Sequence, residues 1–479
     1  MSVTPEVGSS PEPTTDLSRR TLLGRAAAAG LLATPAAAFL TACAGSKPKP
    51  ADTGGNAKSA DNPFGVKDGS TADVVVFNGG LGTAYAEYDN TSIYAKKHPK
   101  AKLNLTNTQK IKTEQQPKFS TTPADLINNS GADLMAVDTL VNDGALTDLK
   151  PLLDAPTWEG TGTVGDSLLP GTISDGTYNG TFYVLNYAYT VFGVWYNQAL
   201  FDSKGWTVPK TFDEFFALAP KIKAAGLAPW TFAGKYPYYS RWAIRSWIWK
   251  AGGKQAMVDI DNLKPGAWKT DAVTTAVSAV EKLVKDKDTL TGSDTLSHTE
   301  SQQAWLDGKA AFIPVGTWLS NEMAKTIPAG FKMKLANFWS VSAADKAPDA
   351  VYAASGEGWV CPKKAKNPAA AMEFLRAMLS VEGSQKFAEL TNSLSSRKGS
   401  GDKSTALSLT SANDIMKSAT GDLILFKSPD YYADFDKAEQ NAIGELMAGR
   451  TTAAKFQDTL EQAAAKIAAD SSIKKFTRS

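Results

Sequence analysis

The chain has 479 residues, of which 43% are hydrophobic, and its formal net charge at pH 7 is only +2. This near-neutral balance argues against nucleic acid as a partner, because binding to phosphates requires a basic surface. A single hydrophobic core stops growing near about 250–300 residues, so a chain of this length is expected to form at least two lobes.

The segment from Ser18 to Cys43 has the order of a bacterial export signal. Arg19 and Arg20 form a basic flank, and residues 31–40 form an apolar run. That run is too short to span a bilayer as a helix, which needs about 20 apolar residues. The stretch around the two arginines resembles a twin-arginine signal, and the four residues that end at Cys43 resemble the lipobox of bacterial lipoproteins.

We therefore expect residues 1–42 to be a lipoprotein signal peptide and residues 43–70 to be a lipid-anchored flexible linker. Diacylation of Cys43 would hold the protein on the extracellular face of the membrane without a transmembrane helix. Cys361 would then be left as the one free thiol, which leaves no partner for an intramolecular disulfide. Two alternatives stay open: an alanine-rich N-terminus with a chance cysteine, and export by the general secretory route.

The body of the protein begins with an α/β pattern. The run "DVVVF" predicts a buried strand, "TSIYAKKHP" a helix and "KLNLTN" a second strand. The stretch "PADLINNSGADLMAVD" predicts a helix and then a strand that ends at Asp138. In parallel sheets, ligands bind beyond the carboxyl ends of the strands, which makes Phe77, Asn78, Gly79 and Asp138 candidates.

The second half begins with a long aromatic strand, predicted over residues 180–197. A helix is expected to start after Thr211, with Glu214 at capping-box spacing and Gly226 at the far end. A dense aromatic stretch then covers residues 230–249. The segments "GKAAFIPVGTW" and "ASGEGWV" each predict a strand followed by a glycine-containing loop, and the last hundred residues are mostly helical.

These segments, in this order, resemble the extracellular solute-binding proteins of sugar-importing ABC transporters. The likeness is carried by "YNQALFDSKGWTVPKTFDEFFALAPKIKAAGLAPW", by "GKAAFIPVGTW" and by "NPAAAMEFLRAMLSVEGSQKFAE". More narrowly, "NPFGVKDGSTADVVVFNGGLG" and "PYYSRWAIRSWIWKAGG" resemble the branch that binds N-acetylglucosamine and N,N'-diacetylchitobiose.

The resemblance implies an α/β, two-lobed periplasmic-binding-protein fold, with a hinge and a ligand cleft between the lobes. Carried over to this chain, the first lobe would comprise residues 71–188 and 353–412. The second would comprise residues 189–352 and 413–479. The long strand over residues 180–197 would then be the first crossing between the lobes.

A pyranose offers an apolar face of C–H groups and an equator of hydroxyls, so aromatic rings and planar polar side chains suit it. Trp318, which follows a strand and Gly316, is the strongest single candidate. Core packing remains the competing explanation for each aromatic residue, and Arg241 and Arg245 are expected to pair structurally with acids. The predicted ligand-binding set is Asn78, Asp138, Tyr187, Trp230, Tyr239, Trp242, Trp318, Glu357, Trp359 and Arg397.

The predicted function is that of a non-enzymatic receptor, which captures an amino sugar or short oligosaccharide by hinge closure and delivers it to an ABC permease. No cofactor, metal or catalytic residue is implied, since His98 and His298 stand in separate polar stretches. The expected state is a monomer. Two alternatives remain: a secreted carbohydrate-active hydrolase, which would need a paired acid and nucleophile or base, and a receptor for a different sugar, oligosaccharide or peptide.

Overall fold

The structure, a computed structural model, describes residues 57–131, 133–419 and 423–478. The predicted signal peptide, Cys43 and the first part of the linker lie outside these described residues. The strands are β1 Thr71–Phe77, β2 Lys102–Thr108, β3 Leu126–Asn129, β4 Thr177–Tyr178, β5 Thr181–Phe182, β6 Leu185–Asn197, β7 Ala228–Trp230, β8 Ala310–Gly316, β9 Met333–Ala336, β10 Val351–Val360, β11 Leu394–Ser395 and β12 Leu423–Ile424.

The strands are joined mainly by helices, several of them a single turn long. They are α1 Ala84–Tyr88, α2 Ala95–Lys97, α3 Ile111–Gln115, α4 Val137–Asn142, α5 Lys150–Asp154, α6 Val164–Ser167, α7 Thr172–Asp175, α8 Gln198–Lys204, α9 Phe212–Ala224, α10 Tyr238–Gly252, α11 Lys254–Asp261, α12 Asp271–Lys285, α13 His298–Leu306, α14 Leu319–Glu322, α15 Pro368–Met378, α16 Val381–Thr391, α17 Leu407–Ser418, α18 Ser428–Tyr431, α19 Ala433–Met447 and α20 Ala453–Ala469. A π-helical turn, Asp89–Tyr94, joins α1 to α2. The predicted start of α9 is confirmed, because the Thr211 side chain accepts a hydrogen bond from the Glu214 backbone N–H (3.2 Å).

Strand β6 organises the main sheet. Up to Val191 it pairs antiparallel with β10, and from Phe192 onward it pairs antiparallel with β8 and β9. The main path of the sheet among the described strands runs β2-β1-β3-β10-β6-β8-β7, and β1 lies parallel to both β2 and β3. The predicted long strand is confirmed, but it begins at Leu185, because β4 and β5 form a small hairpin just before it.

The prediction for residues 123–138 is wrong in two places. Instead of a helix, Leu126–Asn129 forms the fully buried strand β3, which pairs with β1 and β10. Asparagine is disfavoured in strands, but here Asn129 exchanges hydrogen bonds with the backbone of Met135 (2.8 and 2.9 Å), which satisfies its buried amide. Asp138 does not end a strand but lies in the first turn of α4.

Two large clusters of buried hydrophobic side chains form most of the core in the part of the chain that the structure describes. One gathers buried side chains between residues 66 and 188 and between 359 and 387. The other gathers side chains between residues 192 and 350 and between 424 and 467. The chain therefore passes from the first cluster to the second, back to the first and again to the second, in the order that the two predicted lobes require. The ranges of the lobes stay a prediction.

Helix α17 spans the predicted lobe boundary at residue 412. Its Leu409 and Ala412 belong to a third cluster, which also contains Trp195 of β6. The Ser411 hydroxyl accepts a hydrogen bond from the Leu335 backbone N–H of β9 (3.0 Å). Helix α17 therefore packs with elements of the second predicted lobe, but the same cluster also contains Ala388 and Leu394 of the first, and the boundary at residue 412 stays a prediction.

A buried ion-pair network joins α10 to α19. The Glu439 carboxylate receives Nε of Arg245 at 2.7 Å on one oxygen and Nε of Arg241 at 2.9 Å on the other. Arg241 also pairs with Asp436, and Arg245 donates to the Ser428 hydroxyl at 3.1 Å. Glu439 and Arg245 are almost completely buried. The predicted structural pairing of the two arginines with acids is confirmed.

Candidate ligand-binding cavity

A cavity of about 820 Å³ lies between segments that belong to the two predicted lobes. One part of its wall comes from α7, β6 and the middle of β10, and the other comes from α10 and residues 423–431. Its volume falls in the range of ordinary small-molecule sites, about 300–1,000 Å³. This cavity is the candidate functional site.

A row of aromatic rings runs along the cavity. Phe192 of β6 stacks on Tyr352 of β10, with ring centroids 4.3 Å apart and planes 25° from parallel. Trp242 lies 4.8 Å from Phe192 on one side, and Phe426 lies 5.1 Å from Tyr352 on the other. Trp242, Tyr352 and Phe426 line the cavity itself. Such a row offers flat apolar surface to the C–H face of a sugar.

Three of the predicted ligand-binding residues meet at the Trp242 end of this row. The Trp242 ring lies 4.7 Å from Tyr239 and 5.4 Å from Trp318, tilted or edge-on to each. The Trp318 ring lies over Gly316, where an added Cβ would come within about 2.0 Å of it, so only glycine leaves room for this orientation. Of these three rings Trp242 lines the cavity, and Tyr239 and Trp318 pack against it without lining the cavity themselves.

Polar groups approach the cavity from both sides. The Asp175 carboxylate of α7 accepts a hydrogen bond from the Ser355 hydroxyl of β10 (2.9 Å). Asp430 stands on the opposite side, in α18; burial raises the pKa of its carboxyl, and the nearby charges of Lys427 and Arg241 oppose the rise. Carboxylates and hydroxyls of this kind can accept from and donate to adjacent sugar hydroxyls.

Glu357 lies on β10 at a strained position. Its φ of 55° falls in the left-handed region, which is rare for a residue with a side chain. Burial raises the pKa of its carboxyl above the ordinary 4.5, and hydrogen bonds from Ser130 and Asn128 partly offset the rise. The carboxyl therefore stands at the edge where β3 and β10 meet, close to where the resemblance places a crossing.

We expect Glu357→Gln to remove a pH dependence of stability. A carboxyl whose pKa is raised on folding contributes stability that is full below the unfolded pKa, near 4.5, and is lost as the pH rises through the folded value. The wild type should therefore lose stability relative to the variant over the range from about pH 4.5 upward. Urea unfolding across that range measures the difference. Glu114→Gln, at an exposed position of α3, is the control, and parallel curves for Glu357→Gln and the wild type would refute the expectation.

A hydrogen bond also joins residues of the two predicted lobes. The Asn321 side-chain amide of α14 donates to the Gly80 carbonyl, in the loop after β1, at 2.6 Å. The two predicted lobes contain these two residues respectively. The structure thus shows the loop at the carboxyl end of β1 in contact with the helix that follows Trp318.

Three other predicted residues lie in the core. Tyr187, Trp230 and Trp359 are each 2% exposed or less, and the cavity is not lined by them. Tyr187 donates its hydroxyl to the Met378 carbonyl (2.9 Å), and Trp230 packs edge-on against Trp339. Their rings fill hydrophobic clusters rather than face the cavity, so we leave them out of the proposed site.

Two predicted polar residues also lie apart from the cavity lining. Asn78 is exposed, and its side-chain amide donates to Asn107 at 3.3 Å. Arg397 is 9% exposed; it donates to the Leu379 carbonyl at 2.7 Å and pairs with Glu159 at 3.3 Å. These contacts account for Arg397 as a structural link between loops, and we leave both residues out of the proposed site.

Asp138, in the first turn of α4, is not among the residues that line the cavity. Burial, followed by the nearby charges of Asp138, Asp175 and Asp430, raises the pKa of Tyr178. Asp175 and Asp430 line the cavity, whereas Tyr178 and Asp138 do not. The role of Asp138 in ligand binding stays a prediction.

Several cavity residues were not among the predicted set. They come from strands, helices and loops far apart in the chain, and their apolar or polar character alone did not distinguish them: Asp175, Asn186, Tyr352, Ser355, Phe426 and Asp430. A usable signal is present in β10, where Tyr352 and Ala354 alternate with the buried Val351 and Ala353.

The part of the chain that the structure describes has no helix long and apolar enough to cross a membrane. Within the same residues, no three histidine, cysteine, aspartate or glutamate side chains come together in a way that could hold a metal ion.

Comparison with known proteins places residues 92–415 in a family described as bacterial extracellular solute-binding protein. The chain is 35% identical, over 382 residues, to the diacetylchitobiose binding protein NgcE of Streptomyces coelicolor, which covers 78% of this chain and 79% of that protein.

Solved structures show a similar fold at lower identity. The ligand-free RafE of Streptococcus pneumoniae has a TM-score of 0.65 and 19% identity, covering 84% of this chain and 99% of RafE. A chitin oligosaccharide binding protein has a TM-score of 0.57 and 19% identity, covering 80% of this chain and 93% of that one. These likenesses confirm the predicted two-lobed α/β fold class.

Proposed function

The chain belongs to the family of bacterial extracellular solute-binding proteins, and from this we propose that it captures N,N'-diacetylchitobiose or a related amino sugar for an ABC importer. The matched family and the 35% identical relative are binding proteins, so the expectation that this chain is not an enzyme is confirmed. The ligand itself is inferred from the name of that relative and from the chemistry of the cavity.

The observation that carries the proposal is the aromatic row beside polar side chains in one cavity. Trp242, Tyr352 and Phe426 supply flat apolar faces, and Asp175 and Asp430 supply acceptors on either side. A disaccharide of N-acetylglucosamine has two apolar ring faces with hydroxyl and acetamido groups around them. Stacking therefore holds the rings, and the carboxylates select the hydroxyl pattern.

Capture requires the two lobes to close on the sugar. Closure is a shift between open and closed populations, and a ligand drives it only through contacts that exist in the closed state. The cavity draws its lining from both predicted lobes, so a bound sugar would contact α7 and β10 together with α10 and α18. The Asn321 to Gly80 hydrogen bond would form part of the closed arrangement.

Calorimetry with a panel of sugars tests this function. We expect N,N'-diacetylchitobiose and N-acetylglucosamine to bind more tightly than cellobiose, which has hydroxyls in place of the acetamido groups. The same samples, incubated with chitobiose and analysed for released monosaccharide, should show no turnover. Tightest binding to a disaccharide without acetamido groups would move the proposal to a different sugar, and steady release of product would end the receptor interpretation.

The remaining parts of the proposal concern delivery. Diacylation of Cys43 would tether the protein to the extracellular face of the membrane, and the linker of residues 43–70 would let the body reach a permease. The family is consistent with an extracellular site of action and with ABC permease subunits as partners. The lipid anchor and the monomeric state remain proposals, as do the exact lobe boundaries.

A further inference from the structure

The segment that follows α20 forms part of the wall of the ligand cavity. Helix α20 ends at Ala469, and the chain then crosses the second hydrophobic cluster, so that Thr477 and Arg478 line the cavity. Nothing in the sequence pattern of this polar stretch, "DSSIKKFTR", indicated contact with a ligand site.

Several contacts hold the segment in place. The Phe476 ring stacks on Tyr431 of α18, with centroids 4.6 Å apart and planes 17° from parallel, and its backbone N–H donates to the Tyr432 hydroxyl (3.0 Å). Arg478 exchanges two backbone hydrogen bonds with the Asn262 side chain, at 2.7 and 2.8 Å. The segment is therefore fixed against α11 and α18 at two points.

The Arg478 side chain covers an aromatic ring. Its guanidinium lies 5.5 Å from the centroid of the Trp249 ring and donates to the Asp261 carboxylate and the Leu425 carbonyl, each at 2.6 Å. Trp249 is a lining residue of the cavity but is only 2% exposed. The guanidinium thus occupies a place where an indole face would otherwise be open to the cavity.

We infer that Arg478 limits the length of the oligosaccharide that the cavity accepts, by covering the Trp249 ring as a further stacking surface. This inference rests on the proposed function, because it concerns the same cavity and the same class of ligand. Removing the guanidinium would expose another ring on α10, seven residues after Trp242, and a longer chain could stack on it.

The test needs a variant that removes Arg478 without leaving a buried charge. Asp261 is buried and also accepts from the Ser428 backbone N–H (2.9 Å), so Arg478→Ala alone would strand its carboxylate. The double variant Asp261→Asn with Arg478→Ala keeps an acceptor for Ser428 and carries no unpaired charge. Asp261→Asn alone is the control for loss of the carboxylate, because it keeps the guanidinium and its hydrogen bond to the Leu425 carbonyl but removes the counter-charge.

Calorimetry compares N,N'-diacetylchitobiose with the tetramer of N-acetylglucosamine. We expect the wild type to bind the tetramer more weakly than the dimer, and the double variant to raise the tetramer-to-dimer affinity ratio roughly three- to tenfold. The control should keep the wild-type ratio. Phe476→Ala loosens the segment after α20 but leaves the Arg478–Asp261 ion pair, and it should shift the tetramer-to-dimer ratio in the same direction. This variant replaces the double variant in the test if the double variant does not fold.

A readout without sugar separates this inference from the proposed function. Hydroxyl-radical oxidation of the peptide that contains Trp249, followed by mass spectrometry, should rise several-fold in the double variant over the control. Unchanged oxidation, or a wild type that binds the tetramer as tightly as the dimer, would overturn the role of Arg478. Absence of binding to either sugar, with oxidation raised as expected, would instead refute the proposed ligand.

Discussion

Replacing Trp242 by alanine is expected to weaken the binding of N,N'-diacetylchitobiose by roughly ten- to a hundredfold. The ring lines the cavity and is held by Phe192 at 4.8 Å and Trp318 at 5.4 Å, so it presents a fixed face to the sugar. An aromatic contact of this kind combines buried apolar area with about 0.5–1.5 kcal/mol of specific ring interaction. Isothermal calorimetry, well below the unfolding temperature of the variant, measures the change.

Trp158→Ala provides the control for this prediction. Trp158 is also a partly buried tryptophan, held by Lys97 at 4.4 Å and Arg376 at 4.7 Å from its ring, but it does not line the cavity. Its loss should leave the sugar affinity within about twofold of the wild type. Equal losses in the two variants would show that a general loosening, and not stacking on Trp242, sets the affinity.

Replacing Glu439 by alanine is expected to lower the free energy of unfolding by about 3–5 kcal/mol. Its two carboxylate oxygens face Arg245 at 2.7 Å and Arg241 at 2.9 Å, and Arg245 is completely buried. Without the carboxylate, Arg245 would keep the Ser428 hydroxyl as a partner but no counter-charge. Urea unfolding followed by circular dichroism measures the loss.

The same helix offers a matched control in Glu445→Ala. Glu445 of α19 pairs with Arg450 at 2.9 Å, but both side chains are at least half exposed, and such pairs contribute about 0–1 kcal/mol. Both changes are from glutamate to alanine on one helix, so they differ mainly in burial. A loss for Glu439→Ala no larger than that for Glu445→Ala would mean that the buried network is dispensable.

The order of the elements could be predicted because it depends on local patterns. The β-branched run of β1, the long aromatic β6 and the Thr211 cap of α9 each have a signature within a few residues. Strand β3 could not be recognised, since its stability comes from distant partners. Asn128, for example, donates to the Gly358 carbonyl of β10, 230 residues away, at 3.3 Å.

Only those candidate site residues that lie within one continuous stretch of sequence could be predicted. Trp242 and Tyr239 lie in the aromatic stretch on α10 and could be identified as candidates, although Trp230 in the same stretch belongs to the core. The periodicity of a helix shows which side chains share a face, but not whether that face points into the core or into a cavity. The partners of Trp242, namely Phe192 and Tyr352, come from strands whose pairing no single sequence specifies.

The hydrogen bond between Asn321 and Gly80 has a consequence for the surroundings in which this receptor can hold its ligand. An amide and a carbonyl carry no net charge, whereas exposed ion pairs such as Lys100 with Asp68 weaken as dissolved salt is added. A bridge of neutral groups keeps its strength as salinity changes. This contact between the two predicted lobes should therefore form equally well in dilute and in salty surroundings.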